Sequence, residues 1–340
     1  MAGATNLQAT PAGRHWTLVQ LAAVTAGAAL IAALLAAPET GLHLLWDVAV
    51  PLLPLLFVIA PGAWRNACPL ASLSLLPSRT GLSRRRPLSR TWQTRLLGSG
   101  IVLLLLILPL RPLLLDHSGM ATALMFGGFA IAALSLGFVF DLKSAWCSGL
   151  CPLHPIELLY GSRPQVTVKN AQCSACSGCT ATCRDSTAGV SPLNANCSKI
   201  MPTLLVGGFP GFVLGWFLVS LQPGWSTGFA VLVAYGLPVV GMLATLALYL
   251  VVSRVRRGGA PRFFAFLALA IFYWFKLPDL IGLQSSPAHA LFSLRGVLPE
   301  WSAWPIRAAG IGVLAALMFR NGHVKAWSFR PQPERRSLHR

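Results

Sequence analysis

The sequence predicts an all-α polytopic membrane protein with about eight transmembrane helices and one small non-apolar insertion. Three observations predict it. Of 340 residues, 55% are hydrophobic and only 11% charged, where a soluble domain carries about 25% charged residues. The apolar residues come in runs near the ~20 that a helix needs to cross a bilayer. Open sheet edges cannot face lipid, so such runs are helices. Finally, the basic residues alternate with the runs, and 23 of the 27 Lys and Arg fall in segments on one side. The net charge of +18 therefore reads as topology and attraction to anionic membrane lipid, with a docking face for an acidic redox partner as the alternative, and not as a nucleic-acid surface.

In chain order, spans 16–37, 42–63, 96–115 and 119–140 make an N-terminal half, 1–140, with a basic loop at 64–95. Residues 141–200 are the one long non-apolar segment. Spans 201–221, 227–252, 263–283 and 304–319 make a second half, 201–320, before a basic tail at 321–340. Span two carries Pro51 and Pro54, and span eight is short. The basic residues outside the one-sided set are Arg111, Lys276, Arg295 and Arg307, while the loops opposite carry Glu39, Asp116 and Glu300. Positive charge stays inside, so both termini and 141–200 are expected in the cytoplasm. Met1 to Arg14 is not expected to be a cleaved signal, because the apolar run after it is too long.

The chemistry is concentrated in 141–200. Cys173-Ser-Ala-Cys176-Ser-Gly-Cys179-Thr-Ala-Thr-Cys183 has the C-x2-C-x2-C-x3-C spacing of a bacterial ferredoxin loop. Three thiolates two residues apart wrap a tight turn around one corner of a cubane, and the small spacers let the backbone approach. Zinc also takes sets of four thiolates, but usually as two separated C-x2-C pairs. The run predicts a [4Fe–4S] cluster in a ferredoxin-like insertion. Arg184 stands where a Pro normally follows, and only Cys197 lies beyond. In two-cluster ferredoxins the fourth Cys of a run ligates the other cluster. On that pattern Cys173, Cys176 and Cys179 take Cys197, with Cys183 as the competing fourth ligand. About sixty residues bury too little core to fold without such a staple.

Three cysteines lie outside the run. Trp146-Cys147-Ser-Gly-Leu-Cys151-Pro152-Leu-His154 follows span four as C-x3-C-P. Cysteines four apart share one face of a helical turn, and Pro152 ends or redirects it. Trp64-Arg65-Asn66-Ala67-Cys68-Pro69-Leu70, after span two, reads as a half copy with Trp64 at the place of the first Cys. One cluster uses four thiolates and two use eight, the number present. Cys68, Cys147, Cys151 and Cys183 are the candidate set for a second; the alternative is a single cluster with leftover thiols and a structural Cys68. Clustered cysteines on the basic side argue for reduced thiols rather than disulfides.

A C-x3-C-P at a helix exit, followed by a ferredoxin run between membrane helices, resembles the NapH/NosR/CcoG-type membrane-bound polyferredoxins. The resemblance covers Trp146 to Cys197, and in part Trp64 to Leu70. Members typically have two C-x3-C-P motifs and two full runs; this chain has one and a half of the first and one run plus Cys197. The resemblance implies an electron carrier subunit of a bacterial inner membrane rather than a stand-alone enzyme. It would pass electrons between a membrane donor, such as quinol, and a redox partner protein at the cytoplasmic face. Two other classes compete: a metal-handling or oxidase-assembly factor that reduces copper or iron, and a redox sensor. The chain has no Met-rich or His-rich tract for the first and no output domain for the second.

Other residues are weaker candidates. None of the seven His lies mid-span, which counts against a haem in the bilayer. His43, His117 and His289 fall near the outer surface and read as ordinary interfacial residues, with a meeting of the three as the alternative. His154 is either a solvated loop residue or a donor to a cluster sulfur. Lys276 and Asp279 read as an ion pair near the interface, set against the functional default for intramembrane charge. Arg111 and Arg307 are expected to snorkel. Phe272, Tyr273, Trp274 and Phe275 read as packing, with a quinone slot as the alternative.

Overall fold

The computed structural model describes residues 11–86, 88–140, 145–161, 164–166, 168, 200–255, 259–283 and 290–320. Among the described residues the regular elements are all helical. The first half runs α1 (Pro11–Ala36), α2 (Pro38–Leu42), a π-helical turn (His43–Ala49), α3 (Val50–Ile59), α4 (Pro61–Ala67) and α5 (Pro69–Arg79). It continues with α6 (Arg90–Leu110), a second π-helical turn (Arg111–Leu115) and α7 (Gly119–Val139). A third π-helical turn (Trp146–Leu150) leads to α8 (His154–Tyr160). The second half is α9 (Ile200–Phe217), α10 (Thr227–Val255), α11 (Ala260–Leu280), a 3-10 turn (Glu300–Ser302) and α12 (Ala303–Phe319).

Seven stretches are long and apolar enough to cross a membrane, at His15–Ala36, Pro38–Ile59, Thr94–Leu115, Gly119–Val139, Thr227–Val255, Ala260–Leu280 and Glu300–Phe319. This is a multi-pass membrane protein, as the sequence predicts. Several boundaries shift by a few residues, and two of the shifts are informative. The second span ends at Ile59 rather than 63, because Pro61 forces Ala60 out of the helix, at φ −148° and ψ 67°. The fifth expected span, 201–221, is a shorter apolar helix that ends at Phe217.

α9 packs on α10 through a row of glycines. A Cβ at Gly211 would strike the Gly241 carbonyl, and one at Gly215 the Leu237 carbonyl. Gly207 lies against the Tyr249 ring. Lipid tails are as apolar as Leu, so membrane helices associate by such close backbone approach rather than by hydrophobicity. Gly137 of α7 meets the Ser74 carbonyl of α5 in the same way.

The loops gather at two ends. At one, the N–H groups of Arg84 and Arg86 donate to the carbonyls of Phe138 and Val139, and Val166 N–H donates to Ile59 O at 2.8 Å. Gln165 Nε2 donates to Leu317 O at 3.0 Å. This end carries the Cys–Pro motifs and is called the thiol end below. Arg85 there has φ +46°, a left-handed conformation held by the bonds of its two neighbours.

Every residue of α8 is buried. Ile156, Leu159 and Tyr160 join Phe57, Leu205, Phe212 and Phe264 in the larger core cluster. The described start of 141–200 is therefore part of the bundle, where each such apolar side chain contributes about 1.5–3 kcal/mol relative to exposure. A second cluster holds Leu34, Leu45, Trp46, Leu115 and Ala123 at the opposite end.

Candidate metal centre

Two Cys–Pro junctions build the site. At the first, α4 ends on Cys68 with φ −63° and ψ 126°, and Pro69 begins α5. At the second, the π-helical turn ends on Cys151 with φ −59° and ψ 122°, and Pro152 follows. The two cysteines have the same backbone conformation. The reason is local: a residue before Pro is driven extended, while the preceding turn is still helical.

Both junctions are anchored on a tryptophan carbonyl. Cys68 N–H donates to Trp64 O at 2.7 Å, four residues back, and Cys151 N–H to Trp146 O at 2.9 Å, five back. The π-helical turn absorbs the extra residue. This corrects the alignment expected from sequence. Trp64 corresponds to Trp146 rather than to Cys147. The turn expected as α-helical closes one residue wider.

The junctions bring Cys68, Cys147 and Cys151 together, and all three are thiols rather than disulfides. Cys68 is buried, while Cys147 and Cys151 keep some exposure. Dense protein around the Cys151 sulfur pushes its thiol well above the ordinary range, and the neighbouring Cys68 and Cys147 push it further. Backbone N–H groups of Leu153 and His154 bond to the sulfur and act the other way. Ionising these sulfurs as neighbours is unfavourable unless a cation offsets the charge. Among the described residues, no group of three His, Cys, Asp or Glu side chains sits at metal-holding distance.

The donor set nonetheless fits a cluster better than a core of small hydrophobes. It has soft sulfur ligands, backbone N–H groups directed at one sulfur, and Trp146 beside Cys147. Trp146 is buried, and its Nε1 has no hydrogen-bond partner among the described residues. A buried donor left unsatisfied costs about 1–3 kcal/mol, and an inorganic sulfide would accept it. Cys173, Cys176, Cys179, Cys183 and Cys197 lie outside the described residues.

An ion network ties the junctions together, and sequence reasoning missed it. Arg65, three residues before Cys68, donates from Nε to Glu157 Oε1 at 2.5 Å. Its Nη2 lies 2.9 Å from His154 Nδ1, which is 3.4 Å from Glu157 Oε2. Arg65 and Glu157 side chains are each 5% exposed and that of His154 is 0%. His154 is thus a buried member of a charged network, not a solvated loop residue. Burial alone would raise the Glu157 carboxyl. The Arg65 charge and the hydrogen bonds from His154 and Arg65 outweigh it and hold the carboxyl below its ordinary value. The available signal was one of spacing. Arg65 and Glu157 are the charges nearest the two Cys–Pro pairs, and a charge just inside a membrane helix exit needs a partner.

The remaining candidates are placed as follows. Arg111 and Arg307 do not snorkel. Arg111 donates to Asp116 Oδ1 at 3.0 Å with its guanidinium 4.2 Å from the Trp46 ring, and Arg307 donates to Trp274 O at 2.8 Å. Aromatic faces and local acceptors replace the headgroup water that snorkelling would reach. Lys276 reaches the Asp47 carboxylate of the second span at 3.6 Å. His43 pairs with Asp47 and His117 with the Pro112 carbonyl, while His289 lies outside the described residues. The aromatic run divides among partners. Phe272 and Phe275 meet Phe217, Trp274 meets Trp304, and Tyr273 donates to Pro51 O at 2.8 Å. No family model matches the chain, and neither does any curated protein or solved structure.

Proposed function

We propose that the chain is a membrane-anchored iron–sulfur electron carrier of the polyferredoxin type that its motifs resemble. Its place is a bacterial cytoplasmic membrane, with the thiol end inward. The observation that carries the reading is the meeting of Cys68 with Cys147 and Cys151, from two separate hairpins, just ahead of the ferredoxin run in the chain. Cys173, Cys176 and Cys179 hold a first centre with Cys197, or with Cys183 as the competing ligand. Cys68, Cys147 and Cys151 offer three ligands to a second, with Cys183 as the candidate fourth.

A [4Fe–4S] cluster supplies one-electron transfer at a potential set by net charge, hydrogen bonds to sulfur and solvent exposure. The chain supplies those settings. Leu153 and His154 direct N–H groups at the Cys151 sulfur. The Arg65–Glu157–His154 network fixes the spacing of the two junctions. The basic segments at the thiol end draw in an acidic partner protein, and that attraction weakens with salt.

The test is EPR of anaerobically purified, reduced protein with iron counted. The reading requires a cluster signal that Cys176→Ser abolishes. Zinc in place of iron, in protein never exposed to air, contradicts it.

A further inference from the structure

At the thiol end, the chain between α5 and α6 gathers Arg79, Arg84, Arg85 and Arg86 in one short stretch. No Asp or Glu precedes Glu39 in the sequence, and none lies between Asp47 and Asp116. Among the described residues, none of these four arginines meets a carboxylate. Arg65 and Arg111, by contrast, each have one, Glu157 and Asp116.

Two of the four are fixed in place by neutral groups. Arg79 ends α5, and its Nη2 donates to Gln20 Oε1 of α1. The two helices pack together, with Gly27 of α1 against Pro69 of α5. Arg85, at φ +46°, turns its side chain back to α5, where Nη2 donates to Ser78 O at 3.0 Å. Arg84 and Arg86 bond to the end of α7 through their backbone N–H groups, and their side chains are exposed. A guanidinium has five N–H donors. Arg79 and Arg85 each spend one on the protein among the described residues, so both keep a free fork. Consecutive residues, Ser78 and Arg79, bring the two forks to one place.

The groups that hold these arginines are themselves incomplete. Gln20 is 1% exposed and Ser78 is 4% exposed, yet Gln20 Nε2 and Ser78 Oγ have no hydrogen-bond partner among the described residues. Buried polar side-chain atoms are ordinarily partnered. Burial also disfavours the charged form of Arg79, with nothing acidic among the described residues to offset it. Two guanidinium forks and two buried donors, all short of an acceptor, suit an oxyanion with several oxygens. The surroundings say where it comes from. Leu18 and Leu21 of α1, Leu76 of α5 and Leu82 are all exposed, so apolar surface runs from the arginines onto the first span. Trp92, on the first turn of α6, is exposed as well, as aromatic side chains at the headgroup level are.

We propose that Arg79, Arg85, Gln20 and Ser78 form a site for the phosphate of an anionic phosphoglyceride, whose acyl chains lie along the exposed leucines of α1. Arginine forks take phosphate oxygens by paired N–H bonds. Basic sites between membrane helices at the cytoplasmic face hold such headgroups. Gln20 is a positioning residue that fixes the Arg79 fork, while Arg84 and Arg86 add charge beside it. The site is a defined place between α1 and α5, distinct from attraction spread over every basic segment. It is independent of the electron-carrier reading.

The experiment titrates full-length protein in dodecyl maltoside with acyl-labelled fluorescent phosphatidylglycerol. Unlabelled phosphatidylglycerol, phosphatidylcholine, inorganic phosphate and poly-glutamate serve as competitors. Wild type should bind one labelled lipid per chain, displaced by phosphatidylglycerol and not by phosphatidylcholine. Arg79→Gln and Arg85→Gln should each weaken binding about tenfold. Arg79→Lys keeps the net charge but loses the fork, and it should also weaken binding severalfold. Arg254→Gln, in another basic segment, should leave binding unchanged. Equal affinity in Arg79→Lys and wild type, or an equal loss in Arg254→Gln, overturns the site in favour of diffuse attraction. Displacement by phosphatidylcholine as strong as by phosphatidylglycerol overturns it too. Inorganic phosphate or poly-glutamate binding more tightly than the lipid, with loss in the same variants, overturns the lipid in favour of a soluble anion or an acidic protein. Stronger lipid binding in Asp141→Asn would make that carboxylate the arginines' partner and overturn the site.

Discussion

Arg65, Glu157 and His154 show how much of the candidate site rests on residues that are not cysteines. Removing one partner of a buried ion pair leaves the other charge uncompensated, which costs about 3–5 kcal/mol. Glu157→Gln should therefore lower thermal stability by an amount of that order, even in protein without metal, while Arg95→Gln on the more exposed start of α6 should not. The acid dependence has a definite sign. The folded carboxyl of Glu157 lies below its ordinary value. Its stabilising contribution is complete above the ordinary carboxylate range and is lost as pH falls through the depressed folded value. Wild type should lose stability in that acid window, and Glu157→Gln should lack that part of the loss when both are followed by thermal melts. The Cys–Pro pairs were legible in the sequence, because Cys68-Pro69 and Cys151-Pro152 repeat after apolar spans. The register was not. A π-helical turn adds one residue without changing the apolar pattern, so Trp64 reads against Cys147 although its carbonyl does the work of Trp146's.

At the scale of elements, the apolar spans were readable because run length and charge alternation are set by the bilayer. Their ends were not always so. Pro61 breaks the second span early, and Phe217 ends the fifth short of its apolar run. The burial of α8 was also hidden, since His154-Pro-Ile-Glu-Leu-Leu-Tyr160 is too short and too mixed to show a period. The α9–α10 contact makes a sharper prediction. A Cβ at Gly211 meets the Gly241 backbone carbonyl, which cannot give way as a flexible side chain would. Gly211→Ala should destabilise by about 1–3 kcal/mol, the usual range for overpacking. Gly236→Ala, on the same helix pair but with open space around it, should be near neutral. Thermal melts of the two variants in one detergent check the contrast.

For the whole molecule, the two ends of the bundle divide the chemistry. Thiols gather at the end where the basic loops lie, and the His43–Asp47–Lys276 group lies at the other. With the thiol end inward, alkaline phosphatase fused after Lys199 should be inactive and after Pro223 active; the reverse would remove the argument for reduced thiols. The all-helical membrane fold was legible from composition, the length of the apolar runs and the alternation of charge. The grouping of Cys68 with Cys147 and Cys151 was read from their number and the repeated Cys–Pro pair, but the contacts that tie the junctions together were not legible, because Arg65 meets Glu157 and His154 across 92 and 89 residues of chain. The central claim is that these junctions, together with the ferredoxin run, hold two iron–sulfur centres. Iron counted in anaerobically purified wild type and Cys68→Ser tests it most directly. The account predicts about eight irons per chain in wild type and about half of that in Cys68→Ser. About four irons in wild type, unchanged in Cys68→Ser, would contradict it and leave Cys68 a structural residue.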